Sequence, residues 1–335
     1  SMEQADSGTF RVCERGSASM KRQSLVGVIL AAGKGTRMAP FSTRFPKPLL
    51  PICNRPILQY QIEYMKQAGI REIILVIGHL GYAIARHFGD GNGLGVKIRY
   101  VEQAETLGIA HAVGRLEPYL TSPFLLFLGD IFFITEDLSV MIDQMSQKKA
   151  SAVLAVKEED DPEAIKRNFA VLLNEEGYVK RVIEKPRYVT NPLKGCGLYL
   201  FDLHIFDAIR RTPRTAMRDE YEITDAIQIL VDDGLPVVVS NIVLKDMNVS
   251  FPHDLLLCSL EELKHQGKAS LVGEGCELHP EIQLNQAVLG DHVRIEAPIR
   301  IQESMVFSDT VIHTKEDLER CIVTPETLIE CKYFF

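Results

Sequence analysis

Residues 25–31 read Leu-Val-Gly-Val-Ile-Leu-Ala, an apolar run with no polar alternation, and a strand that is apolar on both sides must be covered on both faces. A parallel sheet with helices above and below supplies those two covers. The first half of the chain repeats this theme. Residues 55–69 (RPILQYQIEYMKQAG) set Leu58, Ile62 and Met65 at helical spacing and stop at Gly69. EIILVIG (72–78), VKIRYV (96–101) and FLLFLG (124–129) are further apolar runs, with helices expected near 80–88 and 108–117. The fold class is therefore α/β, a doubly wound, mostly parallel sheet. In such sheets a ligand binds beyond the carboxyl ends of the strands, so the turns after residues 31, 101 and 129 are expected to share one crevice.

The pattern changes twice further on. In FAVLLNEEGYVKRVIEKP, period-two runs flank an Asn-Glu-Glu-Gly turn, which suggests a hairpin and an antiparallel lobe over the crevice between about 150 and 250. After a helix at 253–266, Cys276, Ile282 and Val288, then Val293, Ile299, Met305 and Val311 recur six apart, with a slip of one residue between Val288 and Val293. Six-residue spacing is a β-helix signature, and a short left-handed parallel β-helix is expected, with a β-sandwich as the alternative. The division that follows is a disordered tail over 1–24, an α/β domain over 25–255, and a linker helix with short β-helix-like coils over 256–335. The coils have flat faces and an open end suited to self-association, so a homo-oligomer is expected.

Composition narrows the function classes. A net charge of −8 does not suit a general nucleic-acid binder, which needs a broad excess of Lys and Arg to displace counterions. Any phosphate binding must be local. The apolar runs are too short to span a membrane. Seven cysteines with no CxxC pair suggest neither a disulfide framework nor a zinc site, and a reducing cytoplasm fits them best. The first 24 residues lack the apolar stretch of a signal peptide.

The densest chemical signal is Gly33-Lys34-Gly35-Thr36-Arg37, then Pro40, then Pro46-Lys47-Pro48-Leu49-Leu50-Pro51. Glycines after a buried strand let backbone amides approach phosphate oxygens. There is no GxxxxGK[ST], and the third glycine of the dinucleotide fingerprint is missing. What remains is a short glycine loop with a guanidinium at Arg37 and an ammonium at Lys47 held between two prolines, a pair of cations suited to a triphosphate. The stretch LAAGKGTRMAPFSTRFPKPLLPI resembles the signature of the sugar-1-phosphate nucleotidyltransferases, the nucleotide-sugar pyrophosphorylases, and is most similar to the glucose-1-phosphate thymidylyltransferases and uridylyltransferases. The resemblance covers residues 25–255 strongly and the remainder loosely. It implies a Rossmann-like catalytic sheet and an enzyme that joins dTTP or UTP to a sugar 1-phosphate, glucose 1-phosphate foremost.

The resemblance also assigns roles residue by residue. Ala32, Gly33, Gly35 and Thr36 would line the nucleotide, with Arg37 gripping the leaving pyrophosphate and Lys47 acting at the α-phosphate. Gln103 and Gly108, in QAETLGIAHA, match the segment that meets the base. There the amide would donate and accept together and the glycine would leave room for the ring; a polar loop ahead of a helix is the plainer reading, and His111 is expected on the helix surface. Asp130, at the end of an apolar strand, and Asn248, in NVSFPHD, match the two Mg²⁺ ligands, although Asp130 alone also suits a helix N-cap. Relatives often carry a tryptophan two residues before the second ligand. This chain has Asp246 there and no tryptophan at all.

Glu184 and Lys185, in Glu-Lys-Pro, match a sugar and sugar-phosphate motif that by itself could be a surface ion pair. Ala170, Asn191, Gly197 and Tyr199 are expected to complete the sugar pocket. Two alternatives stay open, a UDP-N-acetylglucosamine pyrophosphorylase and a non-catalytic regulatory or scaffold subunit of the same fold.

Overall fold

The computed structural model describes residues 24–104 and 107–335; the tail expected at 1–24 lies, apart from Ser24, outside the described residues. Val26–Ala31 forms β1, Glu72–Ile77 β2, Lys97–Glu102 β3 and Phe124–Leu128 β4. These four are parallel and lie in the order β3-β2-β1-β4. The chain therefore winds outward from β1 in one direction and then crosses to its other side. The turns after β1 and β4 flank the switch point, where an open α/β sheet leaves a crevice.

Both faces of this sheet are covered, as the unbroken apolar strands require. Helices α1 (Ile57–Gln67), α2 (Gly81–Phe88) and α4 (Ser139–Lys148) bury Leu58, Ile62, Met65, Ile84, Phe88 and Met141 against Ile29, Leu75 and Phe127. On the opposite face α3 (Ile109–Gly114), α6 (His204–Arg210) and α7 (Ile223–Asp232) bury Val113, Phe206 and Ile227 against Val28, Val76 and Leu126. Alternate residues of one strand thus enter two separate cores.

Past the short helix α5 (Pro162–Lys166), the hairpin expected after residue 168 forms as β7 (Phe169–Leu173) and β8 (Val179–Glu184), paired antiparallel. It joins the same sheet as the parallel core. Strand β9 (Leu193–Phe201) pairs with β7 near its start, with β4 near its end, and with β6 (Ala152–Glu158) along its other edge, and β10 (Val237–Ser240) adds parallel to β6. One nine-stranded sheet results, because nine residues of β9 are long enough to serve both the parallel core and the hairpin. A small ribbon of β5 (Ile131–Thr135) and β11 (Val243–Asn248) stands apart from it.

Helix α8 (Pro252–Gln266) leads into parallel coils. Leu271 pairs with Val288, Val288 with Met305 and Met305 with Ile322. Glu277, Arg294 and Val311 align in the same way. Each step is 17 residues, one short of three hexads, and this accounts for the slip in the spacing. The missing residue is absorbed at corners. Gly275, His292 and Asp309 have positive φ, as do Gln286, Glu303 and Arg320, each set repeating at the coil length.

The 17-residue pitch sorts the residues of the six-residue series into different surroundings. Val311 is exposed and its neighbour Ile312 is buried instead, one pitch after Ile295. Val288 and Met305 are buried, but outside the coil lumen: with Ile322 they pack against Leu255, Leu256 and Leu263 of α8. The lumen is filled by Ala287, Leu289, Val293, Ile295, Ile301 and Val306.

Candidate functional site

The loop after β1 reverses at Gly35, whose φ of +62° disfavours any residue with a Cβ. The reversal starts a short turn, Thr36–Met38, that carries Arg37 and anchors in the core through buried Met38. A second turn, Lys47–Leu49, follows Pro46 and holds the Lys47 stem half buried. Gly35 and Lys47 are in contact: a Cβ on Gly35 would lie 3.4 Å from the Cβ of Lys47.

Lys47 is held by backbone. Its Nζ donates to the Val249 carbonyl at 2.8 Å, and the Val249 N–H donates to the Asp130 carbonyl at 2.9 Å. One residue therefore ties the lysine to the Asp130 turn. Asn248 precedes it and pairs with Ile131 across the β5–β11 ribbon, so Asp130 and Asn248 sit side by side at one ribbon end, both exposed. Burial lowers the pKa of Lys47 and nearby Arg37 lowers it further, against the opposing pull of Asp130 and Asp254. Asp254 also shapes the backbone here, since its carboxylate accepts from the N–H groups of Ser250 and Phe251 at 2.9 and 2.8 Å and so caps α8.

Two cavities open at this point. The first, of about 290 Å³, is lined by Leu30, Ala32, Gly33, Val76, Gln103, Gly108, Ile109 and Ala112, with Lys47 and Asp130 at its edge. The turns after β1, β3 and β4 meet in it. The second, of about 340 Å³, is lined by Arg37, Asp130, Arg167, Glu184, Lys185, Gly197, Tyr199, Glu220, Glu222 and Asn248. Ile109, Leu128, Asp130 and Glu220 belong to both walls, so the cavities adjoin, with two carboxylates at the junction.

The Gln103 side chain is buried, and one N–H of its amide donates to the Ala112 carbonyl at 3.0 Å, while Oε1 is a buried acceptor with no protein partner. The second amide hydrogen and Oε1 are not engaged by that bond. Gly108 is needed for a different neighbour: at φ +97°, its missing Cβ would lie 2.4 Å from the Tyr221 carbonyl oxygen, so the space is taken by backbone and not by a ring. His111 is half buried, stacked 5.9 Å from the Tyr221 ring, and not a surface residue.

In the second cavity the Glu184 carboxyl is pushed up to about 7, first by burial and then by the Glu222 carboxylate; Thr224 Oγ1 donates to it at 3.1 Å. Lys185 adopts φ +41°, a strained conformation for a side-chain-bearing residue, and its N–H donates to the Asn168 carbonyl at 2.7 Å. Tyr199 is fully buried in a stack with Phe169 and Phe201, and burial pushes its phenol pKa up. Ala170 and Asn191 line neither cavity: Ala170 pairs between β8 and β9, and the Asn191 side chain accepts from the Leu193 N–H at 2.8 Å. Gly35 and Thr36 shape the loop without lining a cavity.

Sequence reasoning missed Arg167, Glu220, Tyr221 and Glu222. The signal was present in RDEYEIT (218–224), where two glutamates two apart precede an apolar helix. Arg218 pairs with Glu222 at 2.6 Å, which leaves Glu220 as the wall of both cavities. Asp246, at the place of the absent tryptophan, forms a 2.8 Å ion pair with Lys194, and both side chains are almost wholly buried. Burial opposes the Lys194 charge, but Asp246 outweighs it and holds the ammonium above the usual lysine range.

The carboxylate of Asp130 and the amide of Asn248 are hard oxygen donors at one ribbon end, which suits Mg²⁺, an ion that takes one or two protein ligands and completes its shell with phosphate and water. No group of three or more acidic, histidine or cysteine side chains that could enclose a metal occurs among the described residues.

The comparisons with known proteins agree with this geometry. The family described as Nucleotidyl transferase matches residues 26–245. A UTP–glucose-1-phosphate uridylyltransferase of Haloferax volcanii is 32% identical over 227 residues, 68% of this chain and 92% of that protein. A glucose-1-phosphate thymidylyltransferase of Streptomyces antibioticus is 34% identical over 212 residues, 63% of this chain; the match spans 58% of that protein, as it also does for a nucleotidyltransferase of low-salt glycan biosynthesis from H. volcanii that is 36% identical. Among solved structures, a protein of Bacillus anthracis described as a candidate glucose-1-phosphate thymidylyltransferase superposes with a TM-score of 0.63 at 25% identity, over 70% of this chain and 94% of that one. The chain belongs to the nucleotidyl transferase family.

Proposed function

We propose that this protein joins a nucleoside triphosphate, dTTP or UTP, to a sugar 1-phosphate, glucose 1-phosphate foremost, giving a nucleotide sugar and pyrophosphate. The observation that carries this reading is the pair of adjoining cavities with Asp130 at their junction and Lys47 in the wall of the first. The more apolar first cavity suits a base, the polar second one a sugar, and the charged groups around Asp130 the phosphates. Uracil and thymine present an N3–H that the free Gln103 Oε1 can accept, whereas cytosine presents a bare ring nitrogen there.

A phosphate oxygen of the sugar phosphate attacks the α-phosphorus in line; the bond to the bridging oxygen of the β-phosphate breaks, and pyrophosphate leaves with that electron pair. Lys47 balances charge at the α-phosphate, Arg37 holds the departing pyrophosphate and Lys185 orients the attacking phosphate. Mg²⁺ held by Asp130 and Asn248 would supply charge neutralisation across the phosphate oxygens. No proton transfer from a protein acid is required, since the attacking oxygen is already ionised.

Six cysteines among the described residues are free thiols, which supports placement in a reducing cytoplasm. No helix among the described residues is long and apolar enough to cross a membrane. Self-association of the coils belongs to the same proposal, and light scattering at micromolar concentration should give a mass above that of one chain.

The direct test is pyrophosphate release with Mg²⁺ over a grid of the four ribonucleotides and dTTP against glucose-, N-acetylglucosamine-, mannose- and galactose-1-phosphate. Turnover with UTP or dTTP and glucose 1-phosphate is expected. Turnover confined to N-acetylglucosamine 1-phosphate would replace the sugar, and an empty grid from folded protein would replace catalysis by the scaffold role.

A further inference from the structure

Four flat groups lie in file between the glycine loop and the end of the coils. The Arg37 guanidinium sits 5.4 Å from the centroid of the Phe251 ring. Phe251 stacks on His253 at 5.6 Å and 10°, and His253 stacks on Phe334 at 3.6 Å and 2°. Both ends of this file are fixed. Phe251 caps α8, and its N–H is bound by Asp254. Phe334 lies in the turn Lys332–Phe334, which is tied to the coils by the Cys331 N–H on the Arg320 carbonyl at 2.9 Å and by the Arg320 guanidinium over the Phe335 ring at 4.5 Å.

Two further contacts join the coils to the loop that follows Arg37: Phe41 stacks on Phe307 at 5.1 Å, and Arg44 pairs with Glu326 at 2.7 Å. The identity of the group holding Arg37 matters. A carboxylate would occupy the N–H edge of a guanidinium, whereas a ring holds it by its face and leaves that edge to an anion. Arg37 lines the second cavity, where an anion is to be held.

We propose that Phe251, His253 and Phe334 are positioning residues for Arg37, a three-ring stack through which the coil end presents the guanidinium edge to pyrophosphate. This rests on the assignment of Arg37 to pyrophosphate in the proposed reaction. The coils thereby take part in the chemistry of the loop in addition to any part in self-association. Phe334 is half exposed, so its truncation leaves no buried cavity, and the fold is expected to survive it.

The reverse reaction, nucleotide sugar plus pyrophosphate, separates the possibilities. Arg37→Ala should raise the KM for pyrophosphate at least about tenfold, the scale of one lost charge-assisted contact. Phe334→Ala should raise it about 2- to 5-fold, the scale of an exposed ring-on-cation contact, with the KM for the nucleotide sugar unchanged. Phe334→Tyr should restore it, and Tyr333→Ala, which removes an exposed ring outside the file, should have no effect. An Arg37→Ala effect with none from Phe334→Ala would overturn the stack while leaving the proposed reaction intact. No effect from Arg37→Ala would overturn the assignment of Arg37, and the stack with it.

A second readout needs no turnover. The chain has no tryptophan, so Phe334→Trp places one indole on His253. Inorganic pyrophosphate with Mg²⁺ should change its emission, and Arg37→Ala in the same background should abolish the change. Emission indifferent to pyrophosphate while Arg37 is present would overturn the proposal.

Discussion

The two cavities share a wall and differ in almost everything else. The first is bounded by strand ends and small residues, with one buried acceptor, the Gln103 Oε1; the second gathers Arg37, Arg167, Lys185, Glu184, Glu220 and Glu222 around the buried Tyr199. The groups of the first come from the ends of the parallel core, and many of those of the second from hairpin ends and loops. If the proposed reaction holds, recognition of the base and handling of the phosphates are built from different parts of the sheet and should fail separately.

The largest effect should come from the junction, which serves both cavities. Asp130→Ala is expected to reduce kcat by more than about 10³, as a lost metal ligand at a phosphoryl centre should, and steady-state kinetics at saturating Mg²⁺ measures it. A smaller loss would mean that the cavities do not meet at this carboxylate. Lys47→Ala should lower kcat by roughly 10²–10³, the scale of one preorganised donor, with an unchanged circular dichroism spectrum. Near-normal turnover would remove Lys47 from the mechanism.

Gln103→Leu probes the first cavity alone. It should reduce kcat/KM for UTP or dTTP about 10- to 100-fold, the range for an unpaired buried polar contact, without altering the KM for the sugar phosphate. An equal loss on both substrates would show that the two cavities are not independent.

The smallest effect belongs to the second cavity and to pH. The folded Glu184 carboxyl, at about 7, lies above its ordinary 4.5. Its contribution to stability is therefore full below about 4.5 and is lost as pH rises through 7, where burial must accommodate the charge. Glu184→Gln should abolish that loss. Between about pH 5 and 8 the wild type should fall relative to the variant by on the order of 1 kcal/mol, a value reduced by partial solvent access. Parallel stability curves from urea titrations would contradict this.

Much of this arrangement was legible in the sequence because it rests on local rules. An apolar strand, a glycine reversal, a prolyl turn and a helix announced by Pro252 and Asp254 each leave their mark within a few residues. The chemistry of Lys47 was legible as a charge near a loop, but its partner, the Val249 carbonyl, was not, since a backbone acceptor 202 positions away has no side-chain signature. The same limit applies to Gln103, one of whose amide hydrogens goes to another backbone oxygen, and to Gly108, whose crowding comes from Tyr221.

The antiparallel pairing was legible but its continuity with the parallel core was not, because a hairpin shows its own pairing but not the sheet it joins. The slip in the six-residue series becomes intelligible only with the 17-residue pitch. The Lys194–Asp246 pair lay in plain view as two charges on two strands, and only their burial together makes them a unit.

The main-chain groups of Val249 carry a consequence for how this family can vary. Its N–H meets Asp130 and its C=O meets Lys47, so the contacts belong to the backbone and are indifferent to which side chain stands at 249. A small apolar substitution there leaves the tether whole, whereas inserting or deleting one residue in the β5–β11 ribbon would turn the backbone over and release both ends. The two contacts are thus indifferent to amino-acid identity and open to damage from changes in length; since the Val249 side chain is itself wholly buried among apolar neighbours, homologous chains should keep an apolar residue at this position and the length of the ribbon fixed.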